Sequence, residues 1–119
     1  MPTKRENFSA PRKSLELFDF VVADLRPRSK PAALARLVAQ PLASADSIAA
    51  NIEEGYGRGS AKDYSHFLII ARGSAQETGG RYQRLKPWLA PDVIAARVAL
   101  CGEMIAILTA SINTLRRPQ

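Results

Sequence analysis

SIAANIEEGYGRGSAKDYSHFLIIARGS, residues 47–74, joins the end of one amphipathic helix to the start of another through a short glycine-rich turn. Upstream, Leu34, Leu37, Val38, Leu42, Ala45, Ile48 and Ile52 line one side of a helix that should open near Pro31, a favoured first helical position. Pro41 lies inside that run and removes a backbone donor, which predicts a kink or break. Gly55 is placed to cap the helix in the left-handed conformation. Downstream, Ser60 is an N-cap with Asp63 three residues on, a capping-box spacing. Tyr64, Phe67, Leu68, Ala71, Ala75, Thr78, Tyr82 and Leu85 then repeat with helical period. Gly79 and Gly80 interrupt the pattern and predict a bend or fraying, at about 1 kcal/mol each relative to alanine.

Toward the N-terminus, Leu15, Phe18, Val22 and Leu25 mark a helix starting near Ser14 and ending before Pro27. Residues 1–13, with Lys4, Arg5, Arg12 and Lys13 against Glu6, read as a basic arm, and residues 14–117 as the bundle. Toward the C-terminus, Pro91 and Asp92 open the most regular helix. Ile94, Val98, Cys101, Ile105, Leu108, Ile112 and Leu115 form a heptad seam. Beside it runs a second row, Val93, Leu100, Met104 and Ile107. One neighbour cannot cover so wide an apolar arc, so the helix is either central or its second row packs on another subunit. Four helices with short connections and no alternating strand pattern give an all-α, up-down-up-down four-helix bundle.

The chain of 119 residues is enough for one core, and its hydrophobic fraction of 46% is that of a packed protein. No apolar run approaches the roughly 18 residues of a membrane span, and the basic N-terminus lacks the apolar core of a secretory signal. Cys101 is the single cysteine, so no intrachain disulfide can form, which fits a cytoplasmic location. Lys and Arg number 17 against 11 acids, a net charge of +6 that favours a polyanionic partner.

The run Ser47, Ile48, Asn51, Ile52, Glu54, Gly55, Gly57, Arg58 and Ser60, followed by Phe67, Leu68, Ala71, Gly73 and Ser74, resembles the 23S rRNA-intervening sequence protein family. The resemblance implies a four-helix bundle assembling as a homopentamer; a related bundle, the accessory protein of diversity-generating retroelements, looks like a basic pentamer that binds nucleic acid and a reverse transcriptase. This chain departs from the family in carrying Leu42 and Ala43 in place of a basic pair, Ala49 in place of proline, and Thr78-Gly79-Gly80-Arg81 after Glu77.

Among candidate sites, Gly55-Tyr56-Gly57-Arg58-Gly59 lacks phosphate-loop spacing and follows a helix, so it reads as a tight turn. Arg58 and Lys62 beside the free N–H groups of the next helix could still hold one phosphate. Asn51, Glu54 and Arg58 read as a packing network reaching the third helix through Arg72, with a binding site as the alternative. The structural signature is Asn51, Glu54, Gly55, Gly57, Arg58, Gly73 and Ser74. His66, the one histidine, supplies only a partial Asp63-x-x-His66 pair, so no metal site, catalytic residue or cofactor is implied. Cys101 reads as a small buried hydrophobe. Arg58, Lys62, Arg72, Arg81, Arg84 and Lys86 form the candidate nucleic-acid surface, with Tyr56, Tyr64 and Tyr82 either stacking bases or filling the core. The expected function is a non-enzymatic helical assembly contacting RNA; the alternative is a protein-interaction scaffold.

Overall fold

The computed structural model describes residues 4–28 and 32–117. Four helices, α1 (Lys4–Leu25), α2 (Ala32–Tyr56), α3 (Ala61–Gln83) and α4 (Pro91–Arg116), follow one another, with a 3-10 turn at Arg26–Arg28 and no strand among the described residues. Each helix packs on its successor, and α4 closes against α1, in a body 52 × 23 × 18 Å. All-α architecture with four helices is therefore observed.

Helix α1 begins ten positions earlier than its apolar residues suggested: Lys4 through Lys13, read as an arm, are helical, and residues 1–3 lie outside the described residues. The reason is that its inward face is built from small side chains as well as large ones. Ala10, Ser14, Leu17, Val21 and Leu25 are buried, whereas Leu15 is half exposed at 50%. The buried stripe runs through Ser14, Leu17 and Val21, one position before Leu15, Phe18 and Val22, and shares Leu25 with the expected one. Ser14 is no N-cap; its hydroxyl donates to the carbonyl of Pro11 at 2.8 Å inside the helix.

Helix α2 runs unbroken through Pro41, whose ring is buried; Pro31 lies outside the described residues. Val38, Ala45, Ile48 and Ile52 face the core as expected, while Leu37 turns outward. Helix α3 starts where the sequence places it. Ser60 has extended backbone (φ −124°, ψ 146°) and its hydroxyl accepts the Asp63 N–H at 3.1 Å, satisfying one orphan donor. The helix continues past Gly79 and Gly80 to Gln83. Gly79 is buried against α4, where a Cβ would meet Cys101 Cβ at 3.5 Å, an ordinary contact.

Helix α4 opens with Pro91 at its first turn and buries Ile94, Cys101, Met104, Leu108 and Ile112. Its length and composition would suffice to cross a membrane, although only 22% of its most apolar stretch is buried within the chain. Arg97 and Glu103 break the uninterrupted run, which is why counting consecutive apolar residues missed it. Both are tied to α1, Arg97 to Asp24 and Glu103 to Lys13, which makes α4 a helix of this bundle.

Candidate nucleic-acid interface

The glycine-rich turn works by close approach. Gly55 remains helical and buried; a Cβ added there would lie 2.7 Å from Phe67 Cβ and 3.1 Å from Tyr64 Cδ1. It is thus the contact point at which α2 meets α3, not the left-handed cap expected of it. The left-handed residue is Gly59, at φ 80°, immediately before the Ser60 cap. Arg58 N donates to Gly55 O at 3.1 Å and closes the turn between them.

Polar side chains join α2 and α3 along their length. Ser47 Oγ and Ser74 Oγ stand 2.9 Å apart, and Asn51 Nδ2 donates to Ser47 O at 2.8 Å and to Ser47 Oγ at 3.0 Å. One turn deeper, Ser44 Oγ and Thr78 Oγ1 are 2.7 Å apart. Each hydroxyl also has a carbonyl of its own helix within reach, Thr78 Oγ1 that of Ser74 at 2.8 Å and Ser44 Oγ that of Pro41 at 3.2 Å, so the pair is held from both helices. Asn51 and Ser74 are therefore parts of a packing interface. Glu54 and Arg58 are not part of that network: they form an exposed pair four residues apart, with side chains 54% and 49% exposed. Arg72 does not bridge them either; its Nη1 donates to Thr109 Oγ1 on α4 at 3.3 Å. Helical rotation explains the separation, since Glu54 lies three positions from Asn51 but past the buried edge of α2. Gly57 and Gly73 are exposed, and a Cβ at Gly73 would meet nothing within 4 Å.

The candidate cations do not converge on one patch. Lys62 and Arg84 are exposed at the two ends of α3, about 33 Å apart along the axis at 1.5 Å per residue. Arg72 and Arg81 are half-buried on opposite flanks, Arg72 toward α4 and Arg81 paired with Glu77 (Nε to Oε2 3.4 Å). Arg58 lies over the Phe67 ring at 5.0 Å as well as against Glu54. Lys86 is exposed beside a groove between the end of α3 and the start of α4, with Leu89, Ile94 and Val98 in its wall. Of the tyrosines, Tyr64 and Tyr82 are core residues, and Tyr56 alone is exposed, at 53%, with its ring edge-on to Tyr64 at 5.9 Å.

In the second row of α4, Val93, Leu100 and Ile107 are half-buried and keep part of their surface outward. Met104 does not belong with them. It is buried among the core residues, because it lies three positions from Cys101 and four from Leu108 on the inner seam. Outside the row, Ala95, Ala96, Ala99, Gly102, Ala106 and Ala110 are exposed, so the outer surface of α4 is low, with Glu103 and its partner Lys13 carrying charge beside it.

Two groupings were not expected. Asp24 on α1 accepts from Tyr82 Oη at 2.7 Å, from Arg97 Nε at 2.7 Å and from Arg97 Nη2 at 3.2 Å, with the Arg97 guanidinium 4.2 Å from the Phe20 ring centre. Burial and the Asp24 hydrogen bond push the Tyr82 phenol well above its ordinary value. The second is a cleft of about 420 Å³ between the start of α3 and the end of α4, where Lys62, His66 and Arg116 meet. Arg116 and His66 carried no expected role, since residues fifty positions apart give no local signal of sharing a cleft.

A family model described as 23S rRNA-intervening sequence protein matches residues 6–86, which spans α1 to the end of α3. A crystal structure of a protein with unknown function from the S23 ribosomal protein family of Bacteroides thetaiotaomicron superposes with a TM-score of 0.84 at 24% identity, covering 91% of this chain and 98% of that one. That likeness is one of fold and includes α4. No curated protein matches the chain.

Proposed function

This chain belongs to the 23S rRNA-intervening sequence protein family, and on that premise we propose that it is a non-enzymatic assembly of helical bundles that contacts RNA through basic side chains. The observation that carries the reading is a net charge of +6 on a bundle whose Lys62, Arg84 and Lys86 are exposed. Phosphates that meet such cations release condensed counterions, so binding would weaken linearly in log salt. Cations spread along a helix suit an extended polyanion better than a compact one.

The second part of the reading is assembly. The outer face of α4, with Val93, Leu100 and Ile107 half-covered between exposed alanines, is the surface on which copies would pack, and a homopentamer is the proposed form. Repetition around a ring would add weak phosphate contacts together through effective concentration. A protein-interaction scaffold is the competing reading, and one observation favours it: Arg58, Arg72 and Arg81 are already engaged by Glu54, Thr109 and Glu77.

The test is fluorescence anisotropy with a labelled structured RNA and a labelled single strand, titrated across salt, with light scattering on the same sample. Binding whose log affinity falls steeply with log salt, with a shallower slope in the Arg58/Lys62/Arg84 alanine variant, supports RNA contact. Absence of binding at low salt overturns it in favour of the scaffold.

A further inference from the structure

The cleft between the start of α3 and the end of α4 is lined by Lys62, Ser65, His66, Ile69, Leu115 and Arg116 and encloses about 420 Å³. Its composition is divided. Lys62, His66 and Arg116 contribute basic groups, while Ile69 and Leu115 contribute apolar wall, and no acid lines it. Among the described residues neither Lys62 nor Arg116 takes part in an ion pair, in contrast to Arg58 and Arg81. Ser65 is buried and gives its proton to Lys62 O at 3.0 Å, so toward a ligand its oxygen can only accept. The His66 ring is exposed and meets Phe67 edge-on at 5.7 Å, which helps to fix its plane beside the cleft.

We propose that this cleft seats one phosphorylated nucleotide, an unpaired residue of a bound RNA. Lys62 and Arg116 take the phosphate, and the base lies on Ile69 and Leu115 with His66 at its edge. The two cations approach from different helices, so they can bracket a phosphate in a way that two neighbours on one helix face cannot. Arg supplies a planar fork for two phosphate oxygens, and Lys a point charge. A bare anion would leave the apolar wall wet, and an apolar ligand would leave the cations without a partner. A nucleotide uses both, and the cleft volume lies within the range of small-ligand sites. The inference rests on the RNA reading and names the place where a single nucleotide is held.

The experiment titrates adenosine 5′-monophosphate, adenosine and inorganic phosphate into labelled full-length protein, reading the Ile69 and Leu115 methyl and His66 ring resonances by NMR. Expected are shifts confined to these residues with the monophosphate, and binding of adenosine or phosphate alone weaker by about tenfold or more, since each loses one half of the contact. Arg116→Gln, at an exposed position, should weaken monophosphate binding about tenfold, and Lys62→Gln similarly. Equal shifts with phosphate alone would overturn the seat in favour of a plain anion patch. Undiminished binding in both variants would overturn its location. RNA binding by anisotropy with no monophosphate response would sink the cleft and leave the RNA reading standing. Loss of both would remove the two together.

Discussion

Tyr82 Oη donates to Asp24 Oδ2 across 2.7 Å, and the same oxygen accepts from Arg97 Nε, so one carboxylate ties α1, α3 and α4 together. Asp24 and Arg97 side chains are only 9% and 16% exposed. Removing one member of such a buried pair strands the other. Asp24→Ala should therefore cost about 3–5 kcal/mol, and Tyr82→Phe about 1.5–3 kcal/mol, the usual value of a hydrogen bond to a charged group. Urea unfolding of the two variants checks this; an Asp24→Ala loss no larger than that of an exposed pair would show that the contact does not organise the bundle.

Alkaline pH should weaken the fold through Cys101 before Tyr82 contributes. Burial of Cys101 raises its thiol from 9.0 to about 11. The unfolded chain therefore releases this proton first, the native state holds more protons, and stability falls as pH rises. The loss runs from about pH 9 to 11 and amounts to about 3 kcal/mol at 1.36 kcal/mol per unit. Tyr82, also raised, adds a further loss only above its unfolded value of about 10. Denaturant midpoints measured across this range should decline, and Cys101→Ala should flatten the portion between about pH 9 and 10.

The two glycines at Gly55 and Gly73 should respond to alanine with opposite signs. At Gly55 a Cβ would collide with Phe67 Cβ at 2.7 Å, so α2 and α3 must separate, at about 1–3 kcal/mol. At Gly73 nothing lies within 4 Å, and the gain in helix propensity should stabilise the chain by about 0.5–1 kcal/mol. Thermal melts of both variants at one protein concentration decide it. A destabilised Gly73→Ala would mean that another surface covers the outer side of α3.

Glu54 illustrates how the signature misled in detail. Read as a packing residue, Glu54→Ala should lower the melting temperature; as half of an exposed pair with Arg58, it should cost no more than about 1 kcal/mol. Ser44 and Thr78 carry what Glu54 was credited with, and Thr78→Val should be the more damaging change because it removes a buried hydroxyl contact. A double comparison of Glu54→Ala and Thr78→Val by chemical unfolding checks the order.

The helices themselves were legible. Ser60 and Asp63 announce the start of α3, and Pro91 that of α4, because capping and the proline ring act locally. The seam of α4 was legible because its period is regular. What escaped was whatever depends on small residues or distant partners. Ala10 and Ser14 extend α1 upstream, yet neither is a large hydrophobe, so the stripe was drawn through Leu15 one position away. Arg97 and Asp24 are 73 residues apart, and no spacing rule relates them. The candidate cations divide for a rotational reason. Arg72 and Arg81 share a helix with Lys62 and Arg84 but sit on its two flanks, and sequence order alone suggested one face.

The outer row of α4 offers the last prediction. Leu100 and Ile107 are one heptad apart and half-buried, flanked by Ala99, Ala106 and the exposed Gly102. If copies pack there, each side chain completes its burial only in the assembly, and a carboxylate at that position would be desolvated against an apolar neighbour. Leu100→Glu with Ile107→Glu should then convert the assembly to single bundles in light scattering, because a buried unpaired charge costs several kcal/mol per contact. In the single bundle both positions keep solvent access, so the helical circular-dichroism signal should persist in the variant. Met104→Glu serves as the contrast: its side chain is 1% exposed, so the substitution should unfold the chain instead of dissociating it. Retention of the full assembly by the double variant would move the interface away from α4.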